Sequence, residues 1–199
     1  GVRADEQEVR AALGRALLMA GLLGVLLIAL QWPIAAIAFT LLDGSMAVES
    51  VARDYFLVRI WGAPATLAGF ACMGLLIGLG YSRQVLILQL FLNGLNFGLD
   101  ILFAGVLGLG AVGIALGTVI AEWSTLLFAA WLLRRDLLRR DASRPFWPWQ
   151  RILSRAALRQ TVAANLDIMI RTLLLVFSFA FFVNQSAAFG DVLLAANHI

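Results

Sequence analysis

Apolar residues fill long unbroken blocks of this chain, separated by short polar stretches. A hydrocarbon core about 30 Å thick is crossed by roughly 20 helical residues, and each block is long enough for that. Continuous blocks favour helices over barrel strands, which alternate in segments of about ten residues. The pattern therefore predicts an all-α fold, a polytopic membrane helical bundle. The predicted spans are Ala16 to Leu42, Phe56 to Gly80, Val85 to Leu107, Ala111 to Leu133 and Val162 to Val183.

The two ends of the sequence suggest an internal piece of a longer protein. The chain lacks an initiator Met, and a sixth apolar block begins near Asp191 and stops at the last residue. The first apolar run is too long for a signal peptide and is not followed by a cleavage motif. We therefore expect about five and a half membrane helices in this piece.

Composition agrees with a membrane protein. Of the 199 residues, 62% are hydrophobic and 14% are charged, whereas soluble domains are about 25% charged. The single cysteine, Cys72, lies in the middle of a predicted span, so neither a disulfide framework nor a cysteine metal cluster is available. We expect it to pack as a small hydrophobic residue, and we expect no cofactor.

The distribution of arginine predicts the orientation. All 15 basic residues are Arg, and eight of them fall between Arg134 and Arg159. By the positive-inside rule, residues 134–159 are cytoplasmic. Alternation then places the acidic stretch of Asp43, Glu49 and Asp54, taken as a loop, on the opposite side.

The basic segment also contains the aromatic stretch RPFWPWQ, Arg144 to Gln150. Arginine interleaved with aromatic residues would suit nucleic acid, but an interfacial belt of Phe146, Trp147 and Trp149 at the headgroup level is favoured, so no nucleic-acid partner is expected. Its two prolines are typical of a linker between two bundles. The spacing of Arg151, Arg155 and Arg159 predicts a short surface helix after it.

The third span contains a polar stripe. Its four members fall within an arc of about 60° on a helix; they are Gln89, Asn93, Asn96 and Asp100. On the other side, Gly94 and Gly98 have the small-xxx-small spacing that suits close packing against a neighbouring helix.

The fourth span offers a matching polar face, formed by Thr118, Glu122 and Thr125. Only three residues join the two spans, so an antiparallel hairpin is predicted with Asp100 and Thr118 at about the same depth, roughly 10 Å from the outer boundary. Carboxylates at membrane depth usually mark an ion or proton pathway. The alternative is a structural role in hydrogen bonding between helices, which for the asparagines is as well supported.

A third polar cluster, Asn165, Asp167 and Arg171, opens the fifth span in ANLDIMIRT. The i, i+4 spacing of Asp167 and Arg171 predicts an ion pair within the helix.

With these residues in view, the sequence resembles the multidrug and toxic compound extrusion (MATE) family, and within it the DinF branch. The similar stretches are YFLVRIWGAPATL (residues 55–67), NGLNFGLDILFAGVLGLGAVGIALGTVIAEW (93–123), ANLDIMIRTL (164–173) and GDVLLAAN (190–197). The specific part is the spacing from the Asn/Asp stripe through the glycine turn to GTVIA.

The resemblance implies twelve helices in two six-helix lobes. Residues 1–133 would be the third to sixth helices of the first lobe, 134–156 a cytoplasmic linker, and 157–199 the start of the second lobe. It implies that Asp100, Asn96 and Thr118 form the cation or proton site, with Na⁺ as the one metal ion that Asp100 would take. Gln89, Asn93, Glu122 and Thr125 are then candidates for lining the cavity, and Glu122 stands where the family more often has glutamine.

The function implied is a cation-coupled secondary multidrug efflux antiporter that exchanges H⁺ or Na⁺ for organic cations or amphipathic compounds by alternating access. We expect a monomer in the lipid bilayer of the cytoplasmic (inner) membrane, with small drug-like or cationic substrates, and no enzyme activity. A lipid-linked oligosaccharide flippase of the same superfamily is the nearest alternative, disfavoured because Arg171 is counted as the only basic residue inside any predicted span. An intramembrane transferase would need paired acids or a His/Asp pair, and a scaffold would not need the polar stripe.

Overall fold

The structure, a computed structural model, describes residues 2–41, 46–140 and 146–187. Every regular element in these ranges is helical, which confirms the all-α prediction. Within the described ranges, five helical segments are long and apolar enough to cross a membrane: Glu6–Ala29, Met46–Gly78, Ser82–Val106, Gly110–Arg140 and Arg155–Phe179.

The first predicted span has the wrong boundaries. Helix α1 covers Val2–Ala29, and a separate helix α2 covers Gln31–Leu41. Proline at position 33 has no N–H to donate to the carbonyl of Ala29, so the hydrogen-bond ladder is interrupted there. The chain turns at Leu30, and the membrane span is α1 by itself.

The second span begins earlier than predicted. Helix α3 covers Met46–Arg59, so Glu49 and Asp54 are helical and do not form a loop. A 3-10 turn, Ile60–Gly62, follows, and helix α4 covers Ala63–Gly78. The turn tightens because Pro64 cannot donate to the carbonyl of Ile60, which accepts from the N–H of Ala63 instead.

The third and fourth spans form the predicted hairpin. Helix α5 covers Ser82–Asp100, a π-helical segment covers Ile101–Val106, and helix α6 covers Gly110–Arg140. The turn between them uses φ of +67° at Gly108 and +56° at Gly110, a region that only glycine enters at little cost.

The close packing in this hairpin comes from two glycines of α6. Gly94 and Gly98, predicted to pack against a neighbouring helix, do not pack against one among the described residues. Around those two residues the described structure leaves open space. At Gly113 of α6, a Cβ would lie 2.8 Å from the carbonyl carbon of Phe103, and Gly117 lies against Asp100. Because Gly113 and Gly117 have no side chains, α5 and α6 can approach each other closely.

Helix α6 is the centre of the bundle and packs on α3, α4 and α5. One face is buried at intervals of four residues, with small residues in its first half and leucines in its second: Gly113, Gly117, Ala121, Thr125, Ala129, Leu133 and Leu137. The main apolar cluster lies at the leucine end and includes Leu13, Cys72, Leu76 and Leu88. Cys72 is buried there as a free thiol.

The predicted linker is only partly separate from the bundle. Helix α6 continues to Arg140, and Phe146 packs against the apolar cluster instead of lying in a free interfacial belt. A short helix α7, Trp149–Ile152, buries Ile152. The chain is non-helical at Ser154 before α8, Arg155–Ala187, so Arg151 is not on one surface helix with Arg155 and Arg159.

Two compact units divide the chain between Ile152 and Leu153. The first contains α1 to α7, and the described part of the second contains helix α8. The predicted sixth span near Asp191 lies outside the described residues.

Candidate intramembrane polar site

Asn96, Asp100 and Thr118 meet where α5 crosses α6. The side-chain amide of Asn96 lies 3.0 Å from the hydroxyl of Thr118. With the amide nitrogen turned toward Asp100, it donates to Oδ2 at 3.2 Å while the amide oxygen accepts from the Thr118 hydroxyl. The amide therefore bridges the carboxylate and the hydroxyl.

Asp100 retains one oxygen without a partner. Its Oδ1 is buried and accepts no hydrogen bond from any described residue. Gly117 provides the space for it, because a Cβ there would lie 2.6 Å from this oxygen. A buried carboxylate oxygen left unsatisfied is costly. A bound cation would give this oxygen a partner, and a proton would remove its charge.

The chemistry of this cluster suits a small hard cation or a proton. The ligand that the cluster leaves free is a carboxylate oxygen, Oδ1 of Asp100. No described nitrogen cation lies within ion-pairing distance of Asp100. The π-helical segment begins at the next residue, and such segments often occur at functional sites.

The rest of the predicted stripe does not join this cluster. Gln89 is exposed and donates to the Sδ of Met73 on α4 at 3.4 Å. Asn93 is exposed on α5. The four residues share one face of the helix, but only the C-terminal part of that face, with Asn96 and Asp100, contacts α6.

Glu122 lies on the same face of α6 as Thr118, one turn further on, and forms an ion pair that sequence analysis missed. Arg59, the last residue of α3, donates from both terminal nitrogens, at 2.6 and 2.9 Å. The side chains are 12% exposed for Glu122 and 29% exposed for Arg59. Glu122 is therefore a paired carboxylate, unlike Asp100.

The turn after α3 holds this ion pair against α6. Gly62 leaves no room for a Cβ between Arg59 and Glu122. The indole of Trp123 donates to the carbonyl of Trp61 at 3.1 Å, and the hydroxyl of Thr66 donates to that of Gly62 at 3.0 Å. The 3-10 turn is thus attached to α6 by charge, by a hydrogen bond and by close packing.

A small cavity of about 50 Å³ lies beside Glu122. Thr125 contributes to its wall but is buried with its hydroxyl donating to Ala121 of its own helix at 2.7 Å. Ala65, Thr66, Gly69 and Leu92 also line the cavity, and none of them carries a charge. The predicted lining residues Glu122 and Thr125 thus face one cavity, while Gln89 and Asn93 do not.

The count of one basic residue in the spans was wrong. Arg59 lies inside the predicted second span, and its position was visible in the sequence. What the sequence did not show is its partner, because Glu122 is 63 residues away.

The third cluster contains the expected ion pair within α8. Arg171 lies 3.1 Å from Asp167, and both side chains are mainly exposed, at 78% and 60%. The amide of Asn165 donates to the carbonyl of Thr161 one turn back, at 3.0 Å.

Charged and aromatic groups gather at the end of the first unit where α1 begins and α6 ends. Arg10 donates to the carbonyl of Leu137 at 2.5 Å, and Arg140 contacts both Asp136 and the hydroxyl of Tyr81. Arg15 reaches the carbonyl of Arg151 at 3.1 Å. These arginines therefore share one end of the bundle, as the orientation prediction requires.

Spanning helices with a carboxylate buried between two of them define a multi-pass α-helical membrane protein with an intramembrane polar site. The MatE family model matches residues 3–102, which include Asn96 and Asp100. The chain belongs to this family, the MATE family. It is 35% identical to the DNA damage-inducible protein F of Escherichia coli (strain K12), over 98% of this chain and 42% of that relative. The chain thus spans less than half of that relative's length, and no solved structure gives a significant match.

Proposed function

We propose that this chain is part of a secondary exporter in the cytoplasmic membrane that couples efflux of organic cations or amphipathic compounds to the entry of H⁺ or Na⁺. Membership of the MATE family supports a transporter and not an enzyme. The expected mechanism is alternating access, in which two lobes expose one polar site to each side of the membrane in turn.

The observation that carries the proposal is the unpartnered oxygen of Asp100. A purely structural aspartate would be expected to use both oxygens, since each buried unsatisfied group costs about 1–3 kcal/mol. Here Oδ2 is held by Asn96, while Oδ1 lies against Gly117 without a donor. In the proposed role, Asp100 binds the coupling ion, and Asn96 and Thr118 position its carboxylate.

The flippase alternative gains no support from Arg59. A cavity that holds a lipid-linked pyrophosphate needs several arginines free to bind it. Both terminal nitrogens of Arg59 are instead used by Glu122.

The test is ion-driven export by the full-length transporter carrying Asp100→Asn. This change keeps the shape and the hydrogen bonds of the side chain but removes its charge and its titration. Protein should reach the membrane at the normal level, while export in proteoliposomes falls to background under an imposed pH gradient and under an imposed sodium gradient. Whichever gradient drives the unsubstituted protein identifies the coupling ion.

Asp54→Asn is the matched control, because Asp54 is an exposed acid of α3 in the same unit. It should export at the normal rate. Normal ion-dependent export by Asp100→Asn would show that Asp100 is structural and would refute the coupling assignment.

A further inference from the structure

The ion pair between Arg59 and Glu122 explains why Glu122, a second acid near the proposed coupling site, would not itself bind a coupling ion. Glu122 lies one helical turn beyond Thr118, about 6 Å along α6, and its side chain is only 12% exposed. Without a partner, a carboxylate at this position would be expected to bind a proton or a cation, as proposed for Asp100. The difference between the two acids is the guanidinium.

Arginine is suited to holding such a carboxylate permanently. Its guanidinium stays protonated in proteins and matches both carboxylate oxygens with two parallel donors. The contacts of 2.6 and 2.9 Å have this paired form. No coupling ion is then needed to neutralise Glu122.

The surroundings leave Arg59 without a substitute. The residues of α4 and α5 that line the cavity beside Glu122 carry no charge: Ala65, Thr66, Gly69, Phe70, Met73 and Leu92. Gly62 and the 3-10 turn fix Arg59 where it meets the carboxylate. Among the described residues, a change at Arg59 thus leaves Glu122 buried without a cation.

We propose that Arg59 is a specificity-determining residue of the ion site. Because it is paired with both carboxylate oxygens of Glu122, the coupling ion in this lobe binds only at Asp100. This inference rests on the proposed function, since it assumes that Asp100 is the coupling acid. It extends that function in two ways: Glu122 stays in a permanent ion pair, and Arg59 thereby limits the number of coupling ions that bind.

The first measurement does not depend on transport. Dicyclohexylcarbodiimide modifies protonated carboxyl groups in apolar surroundings, and mass spectrometry of the full-length transporter locates the modified residue. Glu122 should be unmodified in the unsubstituted protein and modified in Arg59→Gln. Arg59→Lys keeps the charge without the paired geometry and should leave Glu122 unmodified. Equal modification of Glu122 with and without Arg59 would overturn the inference.

The second measurement is the number of ions exchanged per substrate, obtained in proteoliposomes from the gradient at which net flux reverses. Arg59→Gln should raise this ratio by one ion, and the double variant Arg59→Gln/Glu122→Gln should restore it. The double variant also separates the effect from misfolding, since it removes both buried charges. An unchanged ratio in Arg59→Gln, with Glu122 modified, would show that the pair is only structural and would overturn the inference. If the unsubstituted protein shows no ion-driven export, that result would instead count against the proposed function.

Discussion

At the scale of single residues, the proposed site depends on a residue with no side chain. Asp100 can place an unpartnered oxygen between α5 and α6 because Gly117 has no Cβ. Neither residue is informative by itself: aspartates also serve as structural hydrogen-bonding groups, and glycines are common in membrane helices. Glu122 and Asp167 each pair with an arginine, whereas the buried oxygen of Asp100 faces Gly117 and no arginine.

Gly117→Ala should therefore weaken both stability and coupling. The added methyl group would lie 2.6 Å from Oδ1 of Asp100, so the carboxylate or the helix has to move. Overpacking of this kind costs about 1–3 kcal/mol, measurable as a lower unfolding temperature in detergent, and ion-driven export should fall with it. Gly74→Ala on α4, where a Cβ meets open space, is the control and should change neither. Unchanged export in Gly117→Ala would show that this contact does not shape the site.

At the scale of elements, the α5–α6 hairpin brings the site residues together. Its glycine turn at Gly108 and Gly110 sets the direction of α6, and Gly113 and Gly117 set its distance from α5. The register that results pairs Asn96 with Thr118.

This register can be tested by cross-linking in the full-length protein with Cys72 replaced by Ala. Cysteines at positions 96 and 118 should be joined efficiently by a short bifunctional thiol reagent, because the two native side chains lie 3.0 Å apart. A pair at positions 93 and 118 is the control, since Asn93 is exposed and lies nearly a full turn away along α5. Efficient cross-linking only in the control pair would show that the helices are shifted by about one turn.

At the scale of the whole molecule, one end of the first unit collects arginine from α1, α6 and α7. Arg10, Arg15 and Arg140 all bond to groups at this end. By the positive-inside rule, we predict that this end is cytoplasmic. The opposite end then carries the beginning of α3 and the turn between α5 and α6.

Two conservative substitutions test this orientation. Ser50 on α3 and Ser82 at the start of α5 are both exposed, and the chain between them crosses the membrane once. In intact cells, an impermeant thiol reagent should label Ser50→Cys, and it should label Ser82→Cys only after the membrane is opened. The reverse result would invert the whole topology.

Sequence alone determined the class of this protein and most of its elements. Length and continuous hydropathy decide whether a segment crosses a bilayer, and both are local properties. The five spans were predicted for this reason. The glycine turn at 108–110 and the ion pair of Asp167 with Arg171 were predicted from residue type and spacing, which are local as well. Helix boundaries were less accurate, because Pro33 and Pro64 each lack the N–H donor that a continuous helix needs, and apolar blocks run through both positions.

Tertiary structure decided which polar residues meet. Periodicity grouped Gln89 and Asn93 with Asn96 and Asp100, but a shared helix face does not say which part of it a neighbour covers. The pairing of Arg59 with Glu122 joins residues 63 positions apart, and the unpartnered oxygen of Asp100 depends on its contact with Gly117. Such contacts follow from the crossing and register of helices distant in sequence, and local pattern contains no measure of either.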